Sequence, residues 1–221
     1  MDPNCCDDIH CEENNDSLTN AKCIVDEIWK MLESGMEEEY IGEAISQLEH
    51  ALQAAASASA NGCDDETVLA ALLHDIGQFV VASDMSQQML MTDEVTGETV
   101  SVGAHGHEII GGQFLRAKGF SDKVAQLVEA HVNVKRYLTG SNPDYYNSLS
   151  DASKASLKFQ GGPFTAEQVK QFEASDHFAL KVQLRRWDDA AKVVGLQTPT
   201  LEFYRPIAIN HLLNQQKLKQ Q

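Results

Sequence analysis

Apolar residues recur at three- and four-residue steps along most of the chain. Ile24, Val25, Ile28, Trp29 and Leu32 mark one face of a helix that begins near Ser17. The pattern predicts a second helix from about Glu38, past His50, to about Ala60, where Asn61-Gly62 stops it. Asp64 or Asp65 caps a third, Glu66 to His74, which ends at Gly77. Helices resume from about His107 to Lys118. After the stop and cap at Gly119-Phe120-Ser121, another carries Val124, Leu127, Val128, His131 and Tyr137. Ser141-Asn142-Pro143 reads as a turn. The segment Leu149–Ser153 opens a helix ended by Gly161-Gly162-Pro163, and Thr165 to Gln168 is a capping box. Helices over about 176–194 and 204–217 complete the chain.

Two stretches depart from this rhythm. Residues 82–104 are rich in Met, Thr, Ser, Asp and Gly, and Val95 to Val100 reads as a small hairpin around Gly97. Residues 1–16 are polar and acidic, the composition of a disordered tail. The expectation is an all-α fold: one helical domain over 17–221, with a loop or hairpin insertion near 82–104.

Charge narrows the partners. The chain carries 33 acidic against 17 basic residues, a formal net charge of -16. Nonspecific binding to nucleic acid or to an anionic membrane needs a basic surface, so neither is expected. Any bound anion must be held by a few local cations. No apolar run approaches the ~20 residues of a membrane span, and the N-terminus lacks the basic start and apolar stretch of a secretory signal. A cytoplasmic location is the expectation. Of five cysteines, Cys5, Cys6 and Cys11 crowd near His10 in a spacing that fits no zinc pattern, and they read as reduced thiols.

The candidate chemistry lies in an ordered set: His50, His74-Asp75, His107, His131 and Asp188. A lone His-Asp pair occurs by chance. Several imidazoles flanking one match what two adjacent metal ions need, because imidazole suits iron, manganese, nickel or zinc and a carboxylate can bridge two cations. His105 is an alternative to His107, which is preferred because residues 108–115 read as the helix that would hold it. On the expected second helix, Tyr40, Glu43, Gln47 and His50 fall on one face. Such a polar stripe is either a solvated face or one directed at the metals. Lys135 lies one turn from His131, and Arg185 lies one turn from Asp188. Either they are surface cations or they hold a phosphate-like anion at the metals. Ser153, at a helix start, offers a hydroxyl and backbone N–H groups to the same anion. Trp187 reads as core packing.

The order His…His-Asp…Asp resembles the HD-domain superfamily of metal-dependent phosphohydrolases, and the two extra histidines resemble its dimetal members. The runs Tyr40–His50, Leu69–Gly77, His131–Leu138, Leu149–Ser153 and Gln160–Pro163 are similar to the HD-domain diiron oxygenases that cleave 1-hydroxy-2-aminoethylphosphonates. The likeness spans about residues 38–205. It implies an HD-domain helical bundle around a mixed-valence Fe(II)/Fe(III) pair that uses O₂ as cosubstrate to break a C–P bond, giving phosphate and an amino acid. It further implies that His50, His74, Asp75 and Asp188 hold one iron. Asp75 would bridge to a second, held by His107 and His131. Lys135, Ser153 and Arg185 would hold the phosphonate, and Tyr40 and Glu43 would gate the iron site. Where a family member has a second histidine four residues after its His-Asp pair, this chain has Gln78, and the segment between His74 and His107 is longer. Gln78 with Met85, Met89 and Met91 would suit a methylated ammonium. That favours 1-hydroxy-2-(trimethylammonio)ethylphosphonate as substrate, with glycine betaine as product, over 2-amino-1-hydroxyethylphosphonate, which would give glycine. The rival readings are a dimetal phosphohydrolase acting on a small phosphate ester and a noncatalytic binding domain.

Overall fold

The computed structural model describes residues 7–36, 40, 44–92, 97 and 99–220, with side chains from Asp16 onward. Glu43, Cys5 and Cys6 lie outside the described residues, as do the side chains of His10 and Cys11. The fold is all-α apart from one hairpin. Long helices α1 (Asp7–Ser34) and α11 (Leu201–Lys219) pack together on one side. Helix α6 (Asp122–Ser141) runs through the centre, against α3 (Asp65–Leu72), α5 (His107–Ala117) and α10 (Phe178–Ala190). Helix α2 (Gln47–Ala60) covers α3 and α10. Trp29, Leu32, Leu69, Leu72, Leu127, Leu184 and Tyr204 fill the space between them and are almost completely buried. This is the core that the three- and four-residue spacing calls for.

Capping chemistry sets where these helices start. Ser46 caps α2: its Oγ accepts the Glu49 N–H, and the Glu49 carboxylate accepts the Ser46 N–H at 2.7 Å. This reciprocal pair wins over the periodicity that suggested a start near Glu38. Tyr40 therefore precedes the helix and does not share a helical face with His50. Asp64 caps α3 through both the N–H and the hydroxyl of Thr67. Thr165 and Gln168 form the expected capping box of α9 (Ala166–Glu173). Helix α1 starts at Asp7, ahead of the expected Ser17. Proline at the first position and the Asn142 cap turn the expected 141–143 bend into the short helix α7 (Pro143–Ser148). Helix α8 (Asp151–Phe159) follows. Helix α10 stops at Ala190, so the expected helical stretch to Val194 is instead irregular chain.

Two features bring distant parts of the chain together. The helix expected over 66–74 breaks after Leu72, and the chain turns through residues 73–75 into α4 (Ile76–Val80). Gly77 then lets the α4 backbone press on α5. A Cβ there would lie 1.9 Å from the His107 carbonyl oxygen and 2.8 Å from the Gly111 nitrogen. The insertion is an antiparallel hairpin, β1 (Gln88–Thr92) with β2 (Thr99–Ala104), irregular between Gln88 and Leu90. Its strands flank the 95–100 segment that was expected to contain the whole hairpin. It docks on α8 through Met89, Val102 and Ala155.

Candidate metal centre

Five elements deliver the six expected ligands to one buried point. His50 comes from α2, His74 and Asp75 from the break between α3 and α4, His107 from the first position of α5, His131 from α6 and Asp188 from α10. His50, His74, His107, His131 and Asp188 are all buried. Each imidazole is oriented in the same way: Nδ1 donates to a backbone carbonyl, at Ala191, Ala71, Ala104 and Val128 respectively, each at 2.8 Å. A carbonyl only accepts, so Nδ1 must carry the proton. That directs every Nε2 inward, where it offers a lone pair to a metal whenever the ring is neutral; at His107 the contact with Asp75 raises the pKa against burial, so a proton competes with a metal for that position.

The lone pairs meet in twos. His50 Nε2 lies 3.0 Å from His74 Nε2, and His107 Nε2 lies 3.0 Å from His131 Nε2. Two acceptors at that separation repel unless a cation sits beside both. Ligand bonds of roughly 2.1 Å at a right angle put two nitrogens ~3.0 Å apart, whereas a tetrahedral angle opens them further. Asp75 joins the pairs. Its Oδ1 is 3.4 Å from both His107 and His131, and its Oδ2 is 3.4 Å from His74 and 3.9 Å from His50. Asp188 Oδ1 approaches His50 Nε2 at 3.3 Å. The result is two potential metal sites sharing one carboxylate. Burial opposes ionising Asp75, but the neighbouring His74, His107 and His131 outweigh it and hold its carboxyl well below the usual range. Burial and His107 push His131 down to about 3, so it stays neutral, as a metal ligand must. The donor set fits two metal ions.

A small cationic cavity of about 60 Å³ opens beside these groups. Lys135 and Arg185 both line it and are buried, which removes the reading of them as surface cations. Lys135 Nζ donates to Ser156 Oγ at 2.9 Å. Burial, and next the Arg185 charge, push the lysine down to about 7. Arg185 is tied on three sides. Its Nη1 donates to Asp188 Oδ2 at 2.9 Å, its Nη2 to Asp189, and its Nε to the Tyr145 hydroxyl at 3.1 Å. Tyr145 in turn donates to Asp189 at 2.6 Å. Arg185 thus braces a candidate ligand as well as facing the cavity. Ser153 lines the cavity too, but its own N–H donates to Ser150 Oγ, the α8 cap, so only its hydroxyl remains of the expected pair.

Tyr40 reaches the cluster from outside the helix. Its ring stacks on His50 with centroids 3.8 Å apart and an 18° tilt. Burial, then Asp188 and Asp75, raise its pKa well above normal, so the hydroxyl keeps its proton. Gln78 lines the cavity, with its side-chain oxygen accepting the Ala104 N–H at 2.8 Å. The methionines do not take part. Met89 is buried in the hairpin–α8 contact, while Met85 and Met91 are exposed. His105 is exposed and meets Phe159 edge-on, and it is His107, not His105, that faces the cluster. Trp187 is core. Among the cavity residues, Ser156 had no signal in the sequence, whereas Gln160 opens the Gln160–Pro163 run and Lys192 falls four residues after Asp188 in the helix expected to reach 194. Asp189, which braces Arg185 but is not part of that lining, also had a signal: it lies four residues after Arg185 on the same helix.

The chain is similar in sequence to known proteins. The HD domain family model matches residues 47–156. The hydroxymethylphosphonate dioxygenase of Gimesia maris is 40% identical over 75% of this chain and 77% of its own. The [1-hydroxy-2-(trimethylamino)ethyl]phosphonate dioxygenase (glycine-betaine-forming) of Leisingera caerulea is 35% identical over 86% of this chain and 91% of its own. With its paired histidines around one shared aspartate, the chain belongs to the HD-domain hydroxyphosphonate oxygenase family.

Proposed function

We propose that the protein uses O₂ to cleave the C–P bond of a small 1-hydroxyphosphonate, with two iron ions held by His50, His74, Asp75 and Asp188 on one side and by Asp75, His107 and His131 on the other. The observation that carries this reading is the cationic cavity set directly against two imidazole pairs that share one carboxylate. For hydroxymethylphosphonate the balance is one O₂ consumed, with formate, phosphate and a proton formed. The C–P bond breaks, the carbon is oxidised and O₂ is reduced.

The chain's own groups divide the work. Lys135, Arg185 and the Ser153 hydroxyl bind the phosphonate oxygens and orient C1 towards the histidines. The four Nδ1–carbonyl bonds fix the ligand tautomers. Tyr40, stacked on His50, covers the cluster and must move aside for substrate. Glu43, three residues on, is proposed as its partner in that movement. The iron pair would supply the redox chemistry, binding the substrate hydroxyl and activating O₂.

The substituent on C1 has two readings. The cavity beside the cations is small, about 60 Å³, and suits hydroxymethylphosphonate. A second cavity of about 220 Å³ continues past Tyr40, Asp75 and Gln78 among Gln47, Gln88 and Ser101. It offers room for the trimethylammonioethyl substrate to which Gln78 first pointed. We place hydroxymethylphosphonate first, because the methionines that were to surround the ammonium lie elsewhere.

Phosphate release is to be measured from both compounds with and without O₂, together with iron content. The expected result is O₂-dependent phosphate release, about two irons per chain, and loss of both from Asp75→Ala. Release of phosphate from simple esters under strict anaerobiosis, with none from either phosphonate, would make the protein a dimetal phosphohydrolase instead.

A further inference from the structure

Lys192 lies just past the end of α10, and its backbone is held on both sides by one face of α2. Before it, the Ala191 carbonyl accepts the His50 ring N–H at 2.8 Å. After it, Gln53 makes a double clamp on Val193: Nε2 donates to the carbonyl at 2.8 Å and Oε1 accepts the N–H at 3.0 Å. Gln53 is 3% exposed. A carboxamide that deep is costly unless both of its ends are paired, and here both are paired to the same residue. A glutamine three residues after His50 thus fixes the chain on the far side of the lysine.

Held this way, Lys192 lines the same cavity as Lys135 and Arg185. Its Nζ lies 3.4 Å from the hydroxyl of Ser150, the cap of α8, and 5.7 Å from the ring centroid of Tyr40. One ammonium therefore touches the rim of the anion cavity and the face of the residue that covers the metal cluster. A phosphonate dianion is a stronger partner for an ammonium than an aromatic face.

We propose that Lys192, positioned by Gln53, is a third cationic contact for the substrate's phosphonate, and that binding the anion draws its ammonium away from the Tyr40 ring. The inference rests on the hydroxyphosphonate reading and adds a link by which substrate loosens the cover over the metals. What places Lys192 is the irregular chain after α10, which ends at Ala190, and the Gln53 clamp.

The test uses inorganic phosphate, the proposed product, as probe, titrated by calorimetry into the iron-loaded protein. K192M should weaken phosphate binding by about tenfold, a change typical of losing one charge-assisted contact, and K192R should restore most of it. Iron content and melting temperature should be those of the wild type in both. Gln53→Leu should weaken phosphate in the wild-type background and add nothing in the K192M background, which a general loss of packing would not do. Tyr40→Leu should tighten phosphate in the wild type but not in K192M. Unchanged affinity in K192M, or absence of phosphate binding to the wild type, overturns the contact. Equal tightening by Tyr40→Leu in both backgrounds overturns the link to Tyr40. Turnover separates the two layers: a protein that processes hydroxyphosphonates while K192M binds phosphate normally refutes only the role of Lys192. A protein inert to every hydroxyphosphonate, whose phosphate binding still follows Lys192, refutes only the proposed reaction.

Discussion

At the scale of single residues, the site is built from groups whose protonation is decided by a neighbour. Each ligand histidine has its Nδ1 proton fixed by a carbonyl. Lys135 is the opposite case. Burial and the Arg185 charge favour its neutral form, and the carboxylates of Asp188, Asp189 and Asp75 only partly offset them, leaving it at about 7. Only the protonated amine attracts an anion. Phosphate affinity should therefore be strongest below about pH 7 and weaken as pH rises through that value, with a proton taken up on binding. The ligand titrates in the same range, so the comparison is with Lys135→Arg, which stays charged. The ratio of wild-type to variant affinity should fall between pH 6 and 8, and a flat ratio would show that Lys135 remains charged throughout. The histidines and aspartates stood out in the sequence by their order, whereas Lys135 and Arg185 were open between surface cations and an anion clamp, and only their burial beside the cluster removes the first reading. Their partners were not: nothing in the order of residues says that Tyr145 and Asp189 would brace Arg185, or that Ser156 would meet Lys135.

At the scale of elements, local hydrogen bonding overrides periodicity where the site is made. The Ser46–Glu49 box shortens α2 and frees the chain around Tyr40, which then stacks on His50 from outside the helix. The helical-stripe argument for Tyr40 was wrong in geometry, although the residue does reach the cluster. The turn at 73–75 has the same effect on Asp75. An unbroken helix would leave its carboxylate on one side, but the break directs one oxygen to each histidine pair. Gly77 completes this by allowing α4 to touch α5, where His107 begins. Gly77→Ala must push those backbones apart. Overpacking of this kind costs roughly 1–3 kcal/mol, and it acts directly on the carbonyl of His107, a candidate ligand. The variant should melt at lower temperature and bind less metal at the His107–His131 side than at the His50–His74 side. Normal melting with two irons would mean that the contact relaxes easily. Helix existence and type could be read from apolar spacing nearly throughout. The boundaries next to the site could not, because they depend on caps and close approaches between segments far apart in sequence.

At the scale of the whole molecule, the protein combines a formal charge of -16 with a substrate proposed to be a dianion. No described helix is long and apolar enough to cross a membrane. The cations that face the cavity are few, and Lys135 and Arg185 are buried. Two fields therefore act on an approaching phosphonate. At long range the net negative charge repels it, over distances that salt screens with a Debye length of ~10 Å at 0.1 M. Inside the cavity, close charges in a low-dielectric setting attract it, and salt reaches them poorly. Raising ionic strength should remove more of the repulsion than of the attraction. The expected result is a kcat/KM for the hydroxyphosphonate that increases between about 20 and 200 mM of a weakly binding salt such as sodium chloride, with kcat itself little changed. An uncharged competitor cannot serve as control, since the cavity selects anions, so the control is charge neutralisation on another surface. Replacing Glu27 and Asp26, which pair with Lys118 and Arg205 on the α1 side away from the cavity, by glutamine and asparagine should reduce the salt effect without altering kcat. A kcat/KM that falls steeply with salt instead would mean that local cations, not the net charge, govern the approach of substrate.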